Sequence, residues 1–164
     1  MPHFIKSLFS KAEIDISDFI IEKESTDYQA CRFNINAHKI ICRTAKITPK
    51  KVGQFVTFWK REANGPIAPF HANDAFDFYM IQVFHGDKSG LFIIPKDVLI
   101  KRGIVSTDHK EGKRGFRVYT LWDTATSPLA LRTQKWQGAY FIDLGNGEDV
   151  DRMNRQFLNT LDIK

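Results

Sequence analysis

From residue 29 to residue 94 the chain runs in short segments of alternating apolar and polar side chains, each ended by turn-forming residues. Only a pleated strand sends successive side chains to opposite faces, so this stretch commits the chain to a sheet. Residues 29–35 and 38–46 alternate cleanly, and Asn36-Ala37 has the length of a two-residue hairpin turn. Thr48 to Gly53 reads as a turn and Gln54 to Arg61 as a β-branched and aromatic strand. Asn64 to Asp74, with Gly65, Pro66 and Pro69, reads as a long loop. Phe76 to Phe84 and Leu91 to Ile94 are strands about a glycine turn, and Phe116 to Leu121 is another.

Helices are expected on either side. Residues 3–24 place Phe4, Ile5, Leu8, Phe9, Ile16, Phe19 and Ile20 near helical spacing, with Ser17 as the cap of a second short helix. Pro95 and Asp97 open a short helix that Gly103 stops, and Ser127-Pro128 starts one running to Gly138. Tyr140 to Ile142 reads as a last strand, Gly145-Asn146-Gly147 as a turn, and the tail as a weak helix. These elements predict one domain over residues 1–164. The class is α/β or α+β, with a mixed, mostly antiparallel central sheet flanked by helices.

Charge is distributed unevenly. Net charge is +5, yet residues 31–140 alone hold eighteen basic and eight acidic residues, and both ends are acidic. Arg43, Lys46, Lys50, Lys51, Lys60 and Arg61 follow one another with no acid between them. Lys110, Lys113, Arg114 and Arg117 form a second cluster around Glu111. Clustered cations attract polyanions because neutralised phosphates release counterions, which favours DNA or RNA; anionic lipid and plain solvent suit the same charge. Trp59 beside Lys60 and Phe116 beside Arg117 add stacking options.

Several classes lack their signatures. No run of about 18 apolar residues would span a membrane, and the N-terminus lacks a signal-peptide pattern, so the cytoplasm is the expected location. Cys31 and Cys42 would face each other across the hairpin as reduced core residues, sharing the face of Phe33, Ile35 and Ile40. The five histidines form no zinc spacing, and there is no Walker loop, Rossmann fingerprint or nucleophile elbow. His71, Asp74 and Asp77, at three-residue steps, offer either a base and metal ligands or simple caps of the loop.

One ordered set of motifs is more specific. It runs from Arg43 through Thr-Pro-Lys50-Lys51-Val-Gly-Gln54 to Trp59-Lys60-Arg61, then Gly65-Pro66-Ile-Ala-Pro69-Phe70-His71 and Asp77-Phe-Tyr. Gly90 to Lys96, Glu111-Gly-Lys-Arg-Gly-Phe-Arg117 and Thr133-Gln-Lys-Trp136-Gln137 follow. Over about residues 20–143 this resembles the MepB-like family of small bacterial proteins. The resemblance implies a restriction-endonuclease-like core of the PD-(D/E)xK type and a genetic link to multidrug efflux, but no defining activity. Those nucleases hold Mg²⁺ with two carboxylates beside a lysine. If Lys60 is that lysine, Phe58 replaces the acid two residues earlier; pairing Asp77 with Lys96 puts Ile94 in the acid's place.

The expectation is therefore a nucleic-acid-binding protein on an endonuclease-like scaffold without the usual metal site. Lys46, Lys50, Lys51, Lys60, Arg61, Lys113, Arg114 and Arg117 would contact phosphates. No cofactor, no metal and no obligate protein partner is expected; Mg²⁺ enters only with catalysis. Two rivals stand beside it. One is a non-standard nuclease or phosphodiester hydrolase using Lys60, Asp77, His71 and Glu24. The other is a protein- or small-molecule-binding module whose Gly65 to Phe70 loop and Trp136 line an apolar cleft.

Overall fold

The computed structural model describes residues 3–145 and 150–162. Its centre is a six-stranded sheet in the order β1 (Ser17–Ile21), β2 (Cys31–Ile35), β3 (His38–Thr44), β8 (Phe78–His85), β9 (Lys88–Pro95) and β11 (Phe141–Gly145). β3 and β8 run parallel and every other neighbouring pair runs antiparallel. The sheet is thus mixed and mostly antiparallel, as the alternation predicts. The β2–β3 hairpin turns on Asn36-Ala37 with Asn36 at φ 53°, and Cys31 pairs with Cys42. Both cysteines are buried and reduced.

Each face of the sheet has its own apolar layer. On one, α1 (His3–Lys11) and α4 (Val150–Asp162) bring Leu8, Phe9, Phe157 and Leu161 onto Phe33, Ile35, Ile40, Met80, Leu91 and Ile93. On the other lies a three-stranded sheet of β4 (Lys46–Ile47), β5 (Gln54–Thr57) and β10 (Gly115–Val118), in the order β10-β5-β4. Its inner residues Val56, Phe116 and Val118 pack with Phe58 onto Tyr79, Ile81 and Phe92. Leu99 of α2 (Lys96–Lys101) joins them, and α3 (Pro128–Gly138) rests Trp136 against the cluster.

Two expectations are corrected. Residues 17–21 form an edge strand, not a second helix. Ser17 faces Asn34 while Ile20 faces Arg32, so three steps on β1 match two on β2; Asp18, at φ 53°, takes up the excess. Such a bulge scrambles strict alternation and imitates a helical spacing. The strand predicted over Gln54–Arg61 is broken at Phe58. Residues before it belong to the small sheet, whereas β6 (Trp59–Arg61) leaves to pair with β7 (Ile67–Pro69) in a separate hairpin. The segment read as a long loop therefore contains a strand. Asn146 and Gly147 of the expected turn lie outside the described residues.

Candidate nucleic-acid interface

Phe58 is where core and site part company. It is completely buried, stacked on Tyr79 at 4.1 Å between ring centres and 4.5 Å from Phe70. Its N–H donates to the Arg114 carbonyl at 2.8 Å, which keeps the bend tied to the 107–114 loop. Beyond the bend, Trp59, Lys60 and Arg61 form one wall of a cleft of about 580 Å³. Its floor is the part of the main sheet that the small sheet leaves uncovered. There Ile20, Arg32 and Ile41 stand side by side on paired strands, next to Arg43. Phe70, Asp74 and Phe76 close the far side, and Glu22, Lys23 and Glu24 form the rim.

The cleft carries five cations, Lys23, Arg32, Arg43, Lys60 and Arg61, against three carboxylates, Glu22, Glu24 and Asp74. Each carboxylate is taken: Glu22 by Arg32 at 2.5 Å, Glu24 by Arg61 at 2.8 Å, Asp74 by Lys60 at 2.8 Å. Two guanidinium groups stand near the Trp59 ring, Arg43 and Arg61, at 5.9 and 5.8 Å from its centre. That distance suits cation–π attraction.

The Lys60 ammonium bridges two acids, Asp74 Oδ1 and Glu62 Oε1, each at 2.8 Å. Burial on its own would lower the Lys60 pKa, but these two hydrogen bonds and their charges outweigh it and hold the amine above its ordinary value. Lys60 is thus a fixed cation, not a neutral amine. Sequence spacing placed the missing acid two residues before Lys60; its real partner, Glu62, lies two residues after, on the same side of an extended chain. Asp74 was among the acids singled out, though without Lys60 as its mate.

The other expected catalytic residues are placed differently. Glu24 shares this cleft, paired to Arg61. Asp77 accepts from the Lys39 N–H at 2.8 Å and exchanges backbone bonds with Lys39 and Lys96, which fixes the start of the parallel β3–β8 pairing. His71 faces a neighbouring cleft of about 730 Å³, with Lys60, Glu62, Asp74, Asp108 and Glu111. Its Nδ1 accepts from the Asn73 N–H at 3.0 Å, and Nε2 stands 3.3 Å from Asp108. Both ring nitrogens are engaged. Among the described residues no group of three or more His, Cys, Asp or Glu is arranged to hold a metal ion.

The eight expected phosphate contacts fall into two groups. Lys60 and Arg61 line the cleft, and Lys113 and Arg114 adjoin it because Gly115 pairs with Thr57. Arg114 is paired to Glu111 at 3.1 Å. At the other end of β5, about 13 Å away at strand rise, the 48–53 turn presents Lys50 and Lys51, both exposed. Arg117 clamps that turn, donating to Thr48 Oγ1 and to the carbonyls of Val52, Lys51 and Gly53. Lys46 rests over the Tyr28 ring at 4.8 Å, with Asp27 3.8 Å away. No ion pair involves Lys50, Lys51 or Lys113 among the described residues. The Gly65–Phe70 segment lines both clefts; Trp136 lines neither and instead holds Arg102 over its ring at 5.0 Å.

The glycines about Lys113-Arg114 are packing residues, not hinges. Gly112 donates to Ser106 Oγ at 2.7 Å, and a Cβ there would lie 2.2 Å from the Ile104 carbonyl oxygen. The loop is therefore pinned.

A mixed sheet backed by helices on one face and a small antiparallel sheet on the other, with a cationic, indole-walled cleft where that cover stops, defines the class of protein. Within it, the chain belongs to the MepB-like family, whose sequence model matches residues 22–143. It is similar to the crystal structure of MepB, with 34% identity, a TM-score of 0.78, and coverage of 87% of this chain and 97% of that one. A fainter likeness, TM-score 0.46 and 14% identity over 81% of this chain and 83% of the other, is to the bacterial homing endonuclease I-Ssp6803I. No curated protein matches the sequence. No helix among the described residues is long and apolar enough to cross a membrane.

Proposed function

We propose that this protein binds nucleic acid along the cleft and the adjoining basic loops, without metal-dependent cleavage. The observation that carries this reading is the cleft wall itself. An indole flanked by two guanidinium groups, in a cleft where cations outnumber carboxylates five to three, combines the two attractions that a strand offers, stacking on bases and neutralisation of phosphates. Lys50, Lys51 and Lys113 extend the positive field beyond the cleft. Contacts of this kind position a chain of phosphates and specify no sequence.

Binding without cleavage is supported by how the acids are spent. Each cleft carboxylate is already neutralised by an arginine or lysine, and the Lys60 ammonium sits between Asp74 and Glu62. A divalent cation would have to displace these partners against Coulomb repulsion.

Fluorescence polarisation with labelled DNA and RNA oligonucleotides at two salt concentrations is the test. Affinity should fall steeply between about 50 and 200 mM salt. Absence of binding at the lower salt, or affinity indifferent to salt, would remove the proposal. The same oligonucleotides incubated with Mg²⁺ or Mn²⁺ should stay intact; metal-dependent fragments lost on Lys60→Met would establish the hydrolase instead.

A further inference from the structure

Arg43 differs from every other cation of the cleft. Its neighbours each hold a carboxylate or stand in water, whereas Arg43 is 5% exposed and has no acidic partner among the described residues. A guanidinium has five N–H donors. Here Nη1 donates to Thr57 Oγ1 and Nη2 to the Trp59 carbonyl, both at 3.0 Å, while Nε, also buried, has no partner. All of its hydrogen-bond partners are neutral, and the remaining compensation is the Trp59 ring at 5.9 Å.

A cation drawn out of water and left without a counter-charge destabilises the fold, and arginine, which does not deprotonate, has no escape through its pKa. The position is also rigid: β3 lies between β2 and β8, in the interior of the sheet. A fixed, desolvated guanidinium at the floor of an open cleft is a receptor for an oxyanion.

We infer that Arg43 is a phosphate seat for single-stranded nucleic acid, a phosphodiester lying against its guanidinium and a neighbouring base against the Trp59 ring. The inference rests on the nucleic-acid reading above and narrows it. Single strands are singled out by two features. A cleft of about 580 Å³ takes a ligand of a few hundred cubic ångströms, not the face of a duplex. And a base reaches the indole only when it is unstacked from its neighbours. Lys60 and Arg61, following Trp59 on the same wall, stand ready for the flanking phosphates.

The test follows the Arg43 Nε–H resonance in the ¹⁵N-labelled protein, assigned by its disappearance in Arg43→Lys. Four probes are added in turn: an octathymidylate without terminal phosphate, the same sequence annealed to its complement, thymidine monophosphate, and an acidic octaglutamate peptide. The inference expects the resonance to move with the single-stranded octamer, and to move much less with duplex at equal concentration. Arg43→Lys, if its near-ultraviolet dichroism is native, should weaken octamer binding at least tenfold. Octamer binding seen by polarisation with an unmoved resonance would overturn the seat and leave the broader reading standing. A shift with the monophosphate alone would assign the site to free phosphate monoesters and overturn strand binding. An equal shift with octaglutamate would show a general carboxylate site and overturn the choice of phosphate.

Discussion

Lys60 and Tyr79 are both committed to their protonated forms, one by charge and one by burial, and this fixes how the protein should respond to alkali. The Tyr79 hydroxyl donates to the Thr57 carbonyl at 2.7 Å in the core, and burial raises its pKa far above the ordinary phenol value. The Lys60 pKa is raised by Asp74 and Glu62 against the cost of burial. In each case the folded chain keeps a proton that the unfolded chain releases near pH 10. The native state then binds more protons, so stability must fall as pH rises through that range. Lys60's contribution is fully present below about pH 10.4 and is lost as pH climbs through its raised native value. Thermal melts from pH 8 to 11 should show this loss, and Tyr79→Phe, though less stable at neutral pH, should show a shallower alkaline slope. Equal slopes in the two proteins would contradict the assignment. At the same scale, Gly112→Ala should cost about 1–3 kcal/mol in urea denaturation, since the new Cβ meets backbone that cannot step aside. Sequence alone does not say what these glycines are for, because a glycine that permits motion and one that permits close packing look identical until the neighbour is known.

The β2–β3 hairpin is the element the sequence declares most openly. Its alternation, its two-residue turn and the facing cysteines all appear where the period-two pattern puts them. The hydrogen bond that Cys42 donates to Cys31, with burial added, pushes the Cys42 thiol well up, and both cysteines are buried, so neither should react with a thiol reagent in the folded protein. Both should titrate together once denaturant unfolds the hairpin; rapid labelling of the native state would show that the hairpin opens. The α3 helix was equally legible, from Ser127, which accepts from the Ala130 N–H at 3.1 Å, to Gly138. What could not be read was its duty. Gln137, fully buried, accepts from the Tyr119 N–H at 2.7 Å and donates to the Arg117 carbonyl at 3.0 Å, standing in for a strand along β10. A polar residue on a helix announces no partner in advance. β1 was misread for a related reason: its bulge at Asp18 is a backbone device, and residue types alone do not record it.

Across the whole molecule, the eight cations expected to meet phosphates gather into two groups at the ends of β5 rather than one unbroken groove. Composition and order revealed that the middle of the chain is basic. They could not reveal that Lys46, Lys60, Arg61 and Arg114, half of the eight expected phosphate contacts, would be spent on nearby acids, because pairs such as Lys60–Asp74 and Arg61–Glu24 join segments apart in sequence. Of the eight, Lys50, Lys51 and Lys113 are exposed and in no ion pair among the described residues, and they are therefore the sharper probe of long-range attraction. Replacing all three by alanine should leave the melting temperature nearly unchanged, because exposed charges contribute little to folding. It should also flatten the dependence of log affinity on log salt by about one unit per lysine that touches a phosphate. Unchanged affinity and slope would confine recognition to the cleft.

The bend at Phe58 gives the molecule one further property. A single peptide segment is anchored in the core at one residue and lines the cleft with its indole at the next. That wall of the cleft consequently has almost no independent play: prying it outward would drag the Phe58 ring from its stack on Tyr79. Recognition here should resemble a lock cut in solid metal more than a closing hand, tolerant of few shapes and costing little entropy to engage.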